Sequence, residues 1–129
     1  MSWHTIKIRK ADKMFSDYIR EKSGWKCEYC GKICRVNGGW VGHLDASHYF
    51  SRRHESTRFD PQNVHALCPS CHRRMGGYTR DENGEYDTWM KQKLGDRGYK
   101  LLKLRANTYQ KKDDKLAELY IQKLMSEIK

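Results

Sequence analysis

Two cysteine pairs, Cys27-Cys30 and Cys68-Cys71, each with a two-residue spacer, stand 37 residues apart in a chain of 129. That spacer lets both sulfurs of a pair point at one ion, and two pairs supply the tetrahedral sulfur set zinc prefers. Ordinary buried thiols are the competing reading. A closed four-thiolate site leaves no coordination position for water or substrate, so its expected role is a structural zinc staple, one Zn²⁺ per chain. Cys34 lies outside both pairs and reads as a spare thiol.

Between and just after the knuckles stand Asp45, His48, Asn63 and His72. Phosphodiester hydrolysis needs an activated water, a cation on the scissile phosphate and leaving oxygen, and a fixed orientation for the base. A neutral imidazole can take a proton from water near neutral pH, which makes His48 the expected general base. Asn63 is expected to hydrogen-bond nearby and fix the base and its turn. Successive strand residues alternate faces, so Asp45 and Ser47 share a face and His48 takes the other. Asp45 is the acidic residue on that strand, and with His72 it is the expected ligand pair for one Mg²⁺ or Mn²⁺, water and phosphate oxygens completing the shell. His65 is a possible support for the site or a phosphate contact, His43 a spare ligand and His54 part of a DNA-facing loop. His4 has no assignable role.

Hydrophobic periodicity and turn residues outline the helices and strands around these groups. Ala11, Met14, Phe15, Tyr18 and Ile19 form one stripe of a helix over 10–22, which should end at Gly24. The segment from Val36 to Phe50 reads as turn and strand, with "NGG" as the turn. A basic loop closes at Asp60-Pro61, "NVHAL" is a short strand, and Pro69 suits the first turn of the next helix. After "GGY" and the turn "DENGE" the rest is helical: one segment stops at Gly95, "GYKLLKLRANTY" is a second, and "DDKLAELYIQKLMSEI" a third. In the third, Leu116, Leu119, Tyr120 and Leu124 line one face, and the aspartates at its start suit the helix dipole. No internal repeat or long linker divides the chain. It is expected to be a single α+β domain: residues 1–24 an N-terminal strand and helix, 25–80 the zinc-bound core, 81–129 a C-terminal helical region.

Hydrophobic residues make up 37% of the chain and charged residues 33%, so a structural metal would compensate for a thin core. A net charge of +10 favours a polyanion, and nucleic acid is the usual one, because each neutralised phosphate releases counterions. Arg52, Arg53 and Arg58 flank the expected base, and Arg73 and Arg74 follow the metal-bearing turn. Guanidinium groups bind phosphate bidentately, so these five are the expected DNA grip, reading shape more than sequence. No apolar run is long enough for a membrane span and the start lacks the apolar middle of a signal peptide, so a soluble, intracellular protein is expected.

The order strand, His, about fifteen residues, Asn, helix with an early His resembles the ββα-metal, or HNH, nuclease layout. The motifs Cys27-Glu-Tyr-Cys30-Gly, Asp45-Ala-Ser-His48-Tyr49, Arg58-Phe59-Asp-Pro-Gln-Asn63-Val-His65 and Cys68-Pro-Ser-Cys71 together resemble the NinG, or Rap, family of lambdoid phage recombination proteins. The resemblance covers roughly residues 10–105, by the order of its motifs. It implies a zinc-stapled, treble-clef-like HNH core between N- and C-terminal helices, and a divalent-metal-dependent endonuclease selective for branched DNA such as Holliday junctions and D-loops. It also implies a phage- or prophage-encoded protein in a bacterial cytoplasm. Many HNH proteins carry Asp or His where this chain has Ser47, and the NinG family carries Asn at the position of His72. A junction's two-fold symmetry would suit a homodimer, with Leu101, Leu102, Leu104 and the stripe ending at Leu124 either as its interface or as the completion of the monomer's core. Competing readings are a sequence-specific or nicking HNH nuclease of homing or restriction type, and a non-catalytic zinc module that only binds DNA.

Overall fold

The computed structural model describes residues 6–36, 39–76 and 84–128. His4, the centre of the "NGG" turn and most of the "DENGE" turn lie outside the described residues. Residues 6–9 form no strand and lead directly into helix α1 (Lys10–Lys22). Ala11, Phe15, Tyr18 and Ile19 are buried along one face of α1, with Met14 packed at its edge. The helix stops at Ser23, and Gly24 turns the chain with φ 68°, a conformation that costs glycine little. Trp25 follows at φ 60°, flanked by the guanidinium groups of Arg20 and Arg35 at 5.8 Å and 4.8 Å from its ring.

The first knuckle is closed by a bridge between Lys26 and Ile33, with Gly31 at φ 80° making the turn that returns the chain. Two short antiparallel ladders follow, where a turn and strand were expected. Strands β1 (Arg35–Val36) and β2 (Gly39–Trp40) form one. Strands β3 (Asp45–His48) and β4 (Val64–Leu67) form the other, pairing Asp45 with Leu67, Ala46 with Ala66, Ser47 with His65 and His48 with Val64. All four β4 residues are buried, and the strand packs on α1. Between β3 and β4 the basic loop holds a single helical turn, α2 (Glu55–Arg58). Helix α3 (Pro69–Arg74) begins with Pro69 in its first turn, where the missing N–H costs nothing.

Helix α4 (Glu85–Ala106) spans both expected segments and is broken at Gly95, whose φ 72° and ψ 167° are not helical. Helix α5 (Asp114–Ser126) starts at Asp113, whose side chain accepts the Leu116 N–H at 3.0 Å. The α5 stripe is divided between solvent and core. Leu116, Leu119 and Tyr120 are exposed, and the face packed on α1 carries Ile121, buried, with Ala117, Leu124, Met125 and Ile128 beside it. Leu101 and Leu104 on α4 are likewise exposed, whereas Leu102 is fully buried. Among the described residues, no helix is long and apolar enough to cross a membrane.

Candidate active site and metal centre

The four paired cysteines converge: their sulfurs all lie within 4.8 Å of one another. Cys30 Sγ and Cys68 Sγ are 3.8 Å apart, close to the separation of about 3.8 Å that tetrahedral Zn–S bonds of about 2.3 Å require. The donor set therefore fits zinc. Burial pushes the Cys27 thiol up, but backbone N–H groups of Cys30, Cys68 and Tyr29 at its sulfur outweigh this and bring it down to about 7. A thiol so poised gives up its proton to a metal readily. Cys34 stays apart, buried, its Sγ 3.7 Å from the Lys32 carbonyl. The knuckle is also stitched to the sheet, since Glu28 N–H donates to the Ala66 carbonyl at 2.8 Å and Glu28 Oε2 accepts the Ala66 N–H at 2.6 Å. The cysteine cluster thus fixes the first knuckle against β4 and the start of α3.

The β3 pleat separates the expected catalytic groups as its alternation requires. Ser47 faces α4, buried, its Oγ 3.1 Å from the Tyr86 hydroxyl. Directly opposite, His65 has its Nδ1 3.5 Å from the same hydroxyl and its ring 5.0 Å from that of Trp89. Burial first, then the Lys93 and Lys22 charges, lower its pKa to about 3. His65 is 1% exposed, so it supports the sheet from inside and does not reach solvent, where a phosphate would lie. On the same face as Ser47, Asp45 Oδ2 meets His72 Nδ1 of α3 at 3.0 Å, both side chains about two-fifths exposed. A carboxylate and an imidazole thus meet at an accessible edge.

On the other face, His48 Nε2 lies 3.1 Å from the carbonyl of Arg58. A carbonyl can only accept, so Nε2 carries the hydrogen and the lone pair is left on Nδ1. Burial first, then the Arg52 charge, lower the pKa of His48 to about 4, so the ring is neutral at physiological pH. Asn63 is fully buried and locks the loop between the two strands. Its Oδ1 accepts the Phe50 N–H at 2.8 Å, and its Nδ2 donates to the carbonyls of Phe50 and Thr57, both at 2.9 Å. Asn63 therefore fixes the turn beyond His48 and the end of α2, and no hydrogen bond joins it to the imidazole.

Two loop assignments need correction. Arg58 is 6% exposed and is consumed by the interior. Its Nε and Nη2 donate to Asp12 of α1 at 2.9 Å and 2.6 Å, while Nη2 and Nη1 also reach the Lys7 and Arg52 carbonyls. It cannot grip a phosphate without breaking a buried ion pair. His54 faces the helices and not a DNA surface: its Nδ1 lies 2.8 Å from the Ala106 carbonyl at the end of α4, and neighbouring Ser56 donates to the Arg105 carbonyl. Arg52 is half-buried and pairs with Asp12 at 3.3 Å, Arg74 pairs with Glu85 at 3.0 Å, and Arg53 and Arg73 are exposed. His43 is exposed just ahead of β3. Sequence reasoning missed Asp12, Glu28 and Tyr86, three partners distant in the chain. Only Glu28 carried a signal, its place inside the first knuckle.

Residues 27–77 match the family model described as HNH endonuclease. The match spans both knuckles, β3, α2, β4 and α3, and supports an HNH nuclease core in this segment, whose substrate is DNA. Helices α1, α4 and α5 lie outside it. No curated protein and no solved structure matches the chain.

Proposed function

We propose that the protein is a metal-dependent DNA endonuclease in which His48 is the general base. The observation that carries this reading is the contact of His48 Nε2 with the Arg58 carbonyl. It leaves a neutral imidazole with its Nδ1 lone pair available, on a strand whose other face presents Asp45 and His72. Nδ1 takes a proton from water, the resulting hydroxide attacks phosphorus, and the ester P–O bond opposite it breaks. The leaving oxygen takes up a proton from solvent, and His48 returns its own. Asn63 holds the loop that keeps the base in place. Asp45 and His72 would hold Mg²⁺ or Mn²⁺, a hard cation that suits an exposed carboxylate with an imidazole; from the opposite face of β3 it would neutralise charge on the phosphate backbone beside the cut. The cysteine cluster would hold Zn²⁺ and serve the fold.

Exposed Arg53 and Arg73, with the outer parts of Arg52 and Arg74, are the remaining phosphate contacts. Backbone contacts of this kind position a duplex without reading its sequence, which supports selection by shape. The motif order shared with the NinG family extends the reading to branched recombination intermediates. The exposed leucines of α4 and α5 are the surface through which two copies would pair on a junction. The test is cleavage of junction, flap, nicked and linear DNA with Mg²⁺ or Mn²⁺ by wild type and His48→Ala. Cleavage of branched DNA lost in the variant supports the reading, equal cleavage by both overturns it, and a fixed cut in linear duplex replaces the junction substrate with a sequence-specific one.

A further inference from the structure

The one-turn helix α2 cannot hold its own C-terminal carbonyls in place, because a single turn fixes several backbone torsions for almost no hydrogen bonding. Yet two of those carbonyls act in the site: Thr57 receives Asn63 Nδ2 and Arg58 receives His48 Nε2. Both ends of α2 are pinned by the first turn of α1, which lies outside the matched nuclease segment. At one end Arg9 Nη1 donates to Glu55 Oε1 at 2.7 Å. At the other, the 3% exposed Asp12 receives two guanidinium nitrogens of Arg58. Asp12 is itself fixed as the acceptor of the Arg9 N–H at 2.7 Å, across the helix N-terminus, where negative charge is favoured.

We propose that Asp12 is a positioning residue for His48: its carboxylate clamps the Arg58 side chain, which holds the Arg58 carbonyl where it fixes the imidazole as the Nε2–H tautomer, with Nδ1 free. This deepens the nuclease reading and rests on it for the consequence to catalysis. Without the clamp, a buried guanidinium loses its compensating charge and turns toward solvent. The last residue of α2 then moves, and the ring becomes free to carry its proton on Nδ1, where it cannot act as base.

The test uses the full chain with zinc, ¹⁵N-labelled, comparing wild type with Asp12→Asn, Asp12→Glu and Arg58→Lys. Long-range ¹H–¹⁵N spectra of the imidazoles report the His48 tautomer, and single-turnover cleavage reports the chemical step. Wild type is expected to show His48 as the Nε2–H tautomer alone. Asp12→Asn and Arg58→Lys are expected to show a mixture, with the cleavage rate down about tenfold to a hundredfold and junction-DNA Kd within about twofold. Asp12→Glu, which keeps the charge, recovers the single tautomer. A folded Asp12→Asn or Arg58→Lys protein with a wild-type tautomer overturns the proposal even if its rate falls, because a merely structural role would leave the ring unchanged. A wild-type His48 protonated on Nδ1 overturns it without any variant. Wild type that cuts no DNA removes the nuclease reading alone, and the tautomer comparison still decides the positioning.

Discussion

Acidification should separate His48 from an ordinary surface histidine. Burial and the Arg52 charge hold it at about 4, against the usual value of about 6.5. At about pH 5 an ordinary imidazole is only about 3% neutral, whereas a group titrating at about 4 is still about 90% neutral. The single-turnover rate at about pH 5 is therefore expected to stay near nine-tenths of its neutral value, where an unshifted base would lose about thirtyfold. The same shift acts on stability. The unfolded chain takes up this proton below about pH 6.5 and the native chain only below about 4, so the contribution is complete above about 6.5 and is lost as pH falls toward 4. About 2 kcal/mol is gone by about pH 5, so rates must be read alongside circular dichroism on zinc-loaded protein. Arg52→Gln removes part of the cause and should move the acid limb upward. A wild-type rate that halves near pH 6.5 while the protein stays folded would refute the burial argument.

Replacing Cys27 with Ser should abolish stoichiometric zinc and cooperative unfolding together, since a structural zinc site contributes its binding energy to folding; metal content and a thermal melt read both. Asn63→Ala should cost about 3 kcal/mol in urea unfolding, because a buried residue with three hydrogen bonds is lost and its partners stay buried; a cost under about 1 kcal/mol would contradict that role. Arg53→Gln and Arg73→Gln should weaken DNA binding about equally across sequences and each reduce the salt slope by about one, as measured by fluorescence anisotropy.

What the sequence made legible was local. The stripe of α1, the paired knuckles, the short strand after Asn63 and the first-turn proline each rest on spacing within one segment, and each element formed as its pattern required. The helical break at Gly95 was readable for the same reason. The inward face of α5 was not, because Leu116, Leu119 and Tyr120 and the packed set around Ile121 are neighbouring stripes of one helix. Packing against α1 selects between them, and that contact joins opposite ends of the chain. Arg58 likewise looked like its neighbours until the fold brought Asp12 against it from 46 residues away. Charge alone does not reveal whether a guanidinium meets solvent or a buried carboxylate. Residues with chemistry in them were found by type and spacing, while the residues that hold them came from distant elements.

Whether His48 activates water for phosphodiester cleavage is decided by single-turnover cutting of a labelled DNA junction with wild type and His48→Ala. Both proteins should carry zinc, melt alike and bind the junction alike. Wild type is expected to cut in Mg²⁺ or Mn²⁺ and not in EDTA at concentrations that leave the zinc bound, and the variant to lose at least about a thousandfold in rate. Cleavage by His48→Ala at the wild-type rate would contradict water activation by His48.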